Sequence, residues 1–196
     1  MEAFARSAPE HLVRAMILAR WTGQRQGDLL KLTLSAYDGQ YIRLQQGKAG
    51  RGKQGKRVKI LVAEELRLLL DQTRAEQRAL AKHPDPKVRR PEPVTILATE
   101  RGAPWKSGFK ASWSTAVKDA DISDVTFHDF RGICITLAHR AGATIKEIAE
   151  ASGHKPCERV IRQHYLASGS EAVIRKLESG AKITSPEQNC KPTRKL

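Results

Sequence analysis

The sequence predicts an α+β domain, mainly α-helical, with a small antiparallel sheet made of a hairpin plus one strand. Three observations predict it. Segments with apolar residues at helical spacing dominate the chain, above all Glu64–Ala81, where Leu66, Leu69, Leu70, Thr73 and Leu80 line one side. Two short runs, Tyr41–Leu44 and Val58–Val62, carry β-branched and aromatic residues and flank a glycine-rich loop, the pattern of a hairpin. At 196 residues the chain is long enough for one well-buried core, or one domain with a small appendage.

Composition narrows the function classes. Lys+Arg 35 against Asp+Glu 21 gives a net charge of +14 and a pI near 10.0, which points to an anionic partner, nucleic acid first and an acidic membrane second. The plain alternative is a soluble basic protein without such a partner. Aromatics make up only 5%, which argues against a single-strand or RNA binder built on stacked rings. Cys134, Cys157 and Cys190 are odd in number and lack C-x-x-C spacing, so they suggest free thiols in a reducing, cytoplasmic compartment. There is no long apolar run and no signal-peptide core.

In chain order, the first helix is expected over residues 9–21, with Leu12, Met16 and Ala19 on one face and Thr22-Gly23 closing it. Arg25 opens a second helix holding Asp28, Leu29, Leu30 and Leu32. Tyr37-Asp38-Gly39 signals a turn before the first strand. The loop from Gly47 to Lys56 alternates glycines with cations and leads into the second strand. After the Glu64–Ala81 helix, Lys82–Pro93 holds Pro84, Pro86, Pro91 and Pro93 and reads as a loop. Val94–Leu97 is the expected third strand, and Trp105–Ala120 a helix with Phe109, Trp113 and Val117 four apart. A helix starts near His128. Thr144 and Glu147 form a capping box for another, which Gly153 should end. Short helices follow at Glu158–Ala167 and Ala172–Leu177, and residues 185–196 look like a disordered tail.

Several motifs bear on chemistry. In Thr126–Gly132, a hydroxyl N-cap with Asp129 in the first turn puts His128 and Arg131 on one helix face, an arrangement suited to a bound phosphate. Taken alone, the same pair also fits a solvated surface or a capped core histidine. Gly47, four residues, then Gly52-Lys53 approaches a phosphate loop, yet Gln54 stands where the magnesium-binding hydroxyl belongs and a strand follows instead of a helix. A lysine-rich hairpin touching DNA phosphates fits better, with an ordinary solvated loop as its alternative. His154, Cys157 and His164 lack a fourth ligand for zinc at suitable spacing. No hydrolase elbow is present.

Taken in order, these pieces resemble the tyrosine recombinases, the phage-integrase family. Thr22–Leu29 resembles the family's first arginine box, the loop lysine follows, and His128-Asp129-Phe130-Arg131 resembles its His-x-x-Arg box. Ser152-Gly153-His154 is similar to its Gly-His motif, and His164-Tyr165-Leu166 to the box with the nucleophilic tyrosine. Each box alone is weak; together they cover residues 9–178 and the family's catalytic domain. Leu61 stands where a proline is common and Ile133 where a small hydroxyl residue is usual. The hairpin loop is longer than in many relatives, and the spacing from His154 to Tyr165 slightly wider.

The resemblance implies a tyrosine-recombinase catalytic domain over residues 1–184, without the N-terminal core-binding domain, and site-specific cleavage and rejoining of double-stranded DNA through a 3′-phosphotyrosyl intermediate. It implies Tyr165 as nucleophile, Arg25 and Arg131 as forks on the non-bridging oxygens, and His128 and His154 at the phosphate. Lys48, or alternatively Lys53, serves as general acid. Asp28 either orients Arg25 or supplies charge at a helix N-terminus. No metal or cofactor is implied. The full-length protein is expected to act as a homotetramer on DNA and a catalytic domain alone to be a monomer, bacterial or phage-encoded and nucleoid-associated. The alternatives are a decayed, non-catalytic DNA-binding module and a type IB topoisomerase.

Overall fold

The computed structural model describes residues 2–47, 55–90, 93–99 and 101–153. Within them the chain forms α1 (Glu2–Ser7), α2 (Glu10–Thr22), α3 (Gln26–Leu29), β1 (Tyr41–Gln45), β2 (Arg57–Leu61), α4 (Glu64–Ala81), α5 (Phe109–Asp119), α6 (Asp129–Arg140) and α7 (Ile145–Ser152). The two expected helices beyond Gly153 and the tail lie outside the described residues.

Helix α2 starts after Pro9 and buries Leu12, Ala15, Met16, Leu18 and Ala19. It ends at Gly23, whose left-handed φ of 61° lets its N–H reach the Ala19 carbonyl. Helix α4 matches its expected bounds, because eighteen residues of strong helix formers leave no ambiguity about period. Strands β1 and β2 pair antiparallel in the register Ile42 to Ile60 and Leu44 to Val58, which turns those four side chains into the core. The turn before β1 is held by Asp38, whose carboxylate accepts the backbone N–H groups of Tyr41 and Gln40 and bonds Arg43. Those bonds hold its pKa at about 2.

Several expectations change, among them the second helix, which runs only over Gln26–Leu29 with Arg25 just before it. Val94–Leu97 does not join the hairpin: it forms a single antiparallel bridge, Thr33 to Thr95, flanked by bonds from Leu34 N to Val94 O and from Ile96 N to Leu32 O. The sheet therefore has two strands among the described residues. Pro93 cannot extend the ladder on one side, and on the other the Thr95 hydroxyl donates to Leu97 O and bends the chain away. Helix α5 starts at Phe109, four residues later than Trp105, because Gly108 enters it from φ 84°. Helix α1 was not foreseen. Its six residues are too short to show a period, and it is held by Phe4 stacking against Trp113 at 4.6 Å.

The main core runs from α2 through the hairpin and α4 to α5 and the start of α6. A small satellite of Ile135, Ile148 and Ala149 glues α7 to α6. All four phenylalanines, Phe4, Phe109, Phe127 and Phe130, gather around Trp113. The few aromatics are thus largely spent on the interior.

Candidate active site

Four segments far apart in sequence meet at one junction. The first is the turn from Thr22 to Arg25 that links α2 to α3. Arg25 is the residue before α3, in extended backbone and half-buried, and its guanidinium has no hydrogen-bond partner among the described residues. The second is the start of α6. Arg131 is buried at 2% exposure, and its Nη1 donates to Gly23 O at 2.5 Å, so the second arginine grips the backbone two residues before the first. α2 and α6 pack along each other and bring these ends together.

His128 precedes α6 and is exposed. The expectation of His128 in the first turn is displaced by one residue. The Thr126 hydroxyl and N–H both donate to Asp129 Oδ2, at 2.8 and 2.6 Å, so Asp129 caps the turn by accepting and the hydroxyl serves as donor. His128 and Gln26 line the same groove of about 1050 Å³, which also carries Lys110 and Lys118. The groove thus runs from His128 to the residue after Arg25, and Asp121 and Asp124 line it together with the two lysines.

The third segment is the end of β1. Gly47 N donates to Asp28 Oδ1 at 2.7 Å, which ties the start of the lysine loop to α3. Of the two roles open to Asp28, the structure gives it a place in the first turn of α3 and this anchoring contact. Its other oxygen, Oδ2, is buried with no partner among the described residues. The fourth segment is the end of α7. The capping box at Thr144 and Glu147 is complete, and Gly153 ends the helix at φ 73°. Side chains from the first and third segments bond its last carbonyls: Gln24 Nε2 reaches Ala151 O at 2.9 Å and Gln46 Nε2 reaches Ser152 O at 2.8 Å. Lys48, Lys53, His154, Cys157, His164 and Tyr165 lie outside the described residues.

Two groups are set aside by their chemistry. Burial, only partly offset by Arg131 and Arg20, pushes the Cys134 thiol up to about 11, so it stays protonated and inert. Burial and a hydrogen bond to Asp71 raise the Tyr37 phenol to about 12, which makes it a poor nucleophile.

The family model described as the phage integrase family matches residues 1–171. The chain belongs to that family. Among curated relatives, the integrase of Mycobacterium phage D29 is 25% identical over 192 residues, covering 89% of this chain and 49% of the relative. The integrase of Mycobacterium phage FRAT1 is likewise 25% identical, with 55% of its length covered. The chain thus spans about half the length of these relatives. Among solved structures, the lambda integrase catalytic core superposes with a TM-score of 0.57 at 26% identity, covering 80% of this chain and 86% of that one. A lambda integrase tetramer bound to a Holliday junction gives 0.58 at 27% identity, covering 78% of this chain and 43% of that one. XerA recombinase, at 20% identity and a TM-score of 0.60 over 87% of this chain and 64% of its own, shares the fold. The mostly helical domain with its small antiparallel sheet is the tyrosine-recombinase catalytic fold.

Gln24 and Gln46, central to the junction, were not singled out from the sequence. A buried amide looks there like an exposed one; the available signal was position, each standing directly before a motif residue, Arg25 or Gly47.

Proposed function

We propose that this chain is the catalytic domain of a site-specific DNA recombinase, cleaving and rejoining duplex DNA through a 3′-phosphotyrosyl intermediate. The bond from Arg131 to Gly23 O carries the reading, because it ties the second arginine motif to the first across 108 residues of sequence. The net charge of +14 suits the phosphate backbone.

In this reaction Tyr165 Oη attacks the scissile phosphorus and forms a P–O bond while the bond to the 5′ oxygen breaks. The 3′ phosphate stays on the tyrosine. The departing 5′ oxygen takes a proton from Lys48, with Lys53 as the alternative donor. The phenol's proton passes toward His128, whose exposed position gives it access to solvent and substrate. Arg25 offers an unengaged planar fork to the non-bridging oxygens, and Arg131 adds fixed positive charge from beneath. His154 donates to a non-bridging oxygen. The phosphotyrosine conserves the bond energy, so a second 5′ hydroxyl reverses the step without a metal or nucleotide. The full-length protein acts as a tetramer on DNA, the assembly described for the lambda integrase neighbour.

A nicked suicide duplex tests this. The unsubstituted chain should form a covalent adduct, and Tyr165→Phe should bind the duplex equally but form none, since one oxygen is removed and all charges remain. An adduct in Tyr165→Phe moves the nucleophile elsewhere; binding without any adduct in the unsubstituted chain makes it a non-catalytic DNA-binding module.

A further inference from the structure

Gln24 and Gln46 are buried at 1% and 4% exposure where three segments cross. Gln46 Nε2 donates to Gln24 Oε1 at 2.6 Å and to Ser152 O at 2.8 Å. Gln24 Nε2 donates to Thr22 O and to Ala151 O, both at 2.9 Å. Each amide thus spends both of its protons. Reversing the Gln46 amide would set its oxygen against the Ser152 carbonyl, so the orientation follows from the partners. The acceptors at Ala151 and Ser152 are carbonyls of the last turn of α7, which a helix leaves unpaired.

The backbones close in as well. A Cβ at Gly153 would fall 1.9 Å from both polar atoms of the Gln46 amide, and one at Gly55 would fall 1.6 Å from Gln46 O. Gln46 N also donates to Lys56 O at 2.9 Å. Gly55 is therefore required by close approach to the Gln46 backbone, and Gly153 by its left-handed φ of 73° beside the Gln46 amide. An apolar contact here would be free to slide, because dispersion has no preferred direction; four short hydrogen bonds fix distance and angle together. Gln24 stands one residue before Arg25, Gln46 two before Lys48, and Ser152 two before His154.

We propose that the Gln24–Gln46 pair is a positioning device that sets the α2–α3 turn with Arg25, the end of β1 and the last turn of α7 relative to one another, resting on the reaction proposed above. Both amides are buried, so their contribution is to hold the segments that lead to the reacting groups.

The test uses Gln24→Met, Gln46→Met and the double variant in the full 196-residue chain. Methionine keeps length and most of the volume and removes the donors. Single-turnover cleavage of the suicide duplex should fall roughly 10- to 100-fold, as misplacement by about an ångström does, while duplex affinity changes by less than about threefold. The double variant should cost little more than either single, because the two act as a unit. Hydrogen exchange without DNA should quicken in both 44–47 and 150–153 in each single variant, with α4 unchanged. Wild-type cleavage, loss confined to affinity, or exchange quickened only in the substituted residue's own segment overturns the proposal. If the unsubstituted chain makes no adduct, the reaction falls, and the exchange data alone decide whether the pair joins the segments: coupled exchange supports it, uncoupled exchange overturns it.

Discussion

Around Trp113, four phenylalanine rings sit at centroid distances of 4.6–6.4 Å. Around Gln46, Gln24 and the end of α7 are reached by bonds of 2.6–2.9 Å. Both regions are buried and both join distant parts of the chain. The aromatic cluster joins α1, α5 and the approach to α6 through area, which is additive and tolerant of direction. The amide junction joins the α2–α3 turn, the hairpin and α7 through donors and acceptors, which fail when one partner leaves. The first kind of interior stabilises the domain; the second fixes where its functional ends stand. Substitution in the two regions should therefore be read by different instruments, stability in one and cleavage in the other.

The largest effect is expected at Trp113→Ala. Removing the hub of the cluster should cost about 3–5 kcal/mol of unfolding free energy in urea titration. A loss below about 1 kcal/mol would mean that the cluster is loosely packed and the contrast with the junction weaker than drawn. Arg25→Lys should leave the urea midpoint in place and lower the cleavage rate by about 2–4 kcal/mol, since lysine keeps the charge and loses the fork. Equal losses in DNA affinity and rate would make Arg25 an anchor.

A smaller change is expected at Thr144→Ala, which breaks the capping box of α7, far from the aromatic cluster and one helix length from the amide junction. It should cost about 1 kcal/mol of stability and quicken amide exchange at the start of α7. Unchanged exchange there would show α7 to be held from Gly153 and the amide pair alone. The smallest effect concerns Tyr37. Its phenol is raised to about 12 in the folded chain from an ordinary value of 10.0, so the unfolded chain releases the proton first. The stabilisation is complete below pH 10 and is lost as pH rises toward 12. Thermal melts between those pH values should therefore fall more steeply for the natural chain than for Tyr37→Phe. Parallel curves would remove Tyr37 as the source.

Local chemistry was enough for much of this protein. Helix α4, the Gly23 and Gly153 stops and the Thr144 capping box follow from residues close together in the chain, so the sequence alone determined them, together with the presence of the hairpin, the charge and the order of the family's motifs. The fate of Val94–Leu97 depended on a partner some sixty residues earlier, Thr33, and on Pro93 at its edge, a competition that period and propensity do not register. Arg131 reads in sequence as sharing one helix face with His128. Only the packing of α6 on α2 decided that its side chain lies buried against Gly23 O while His128 stays at the surface. Gln24 and Gln46 carry no periodic or motif signal of their own. Their partners lie 127 and 106 residues away, on the backbone of α7, and a hydrogen bond to a distant carbonyl leaves no trace in either residue's neighbours.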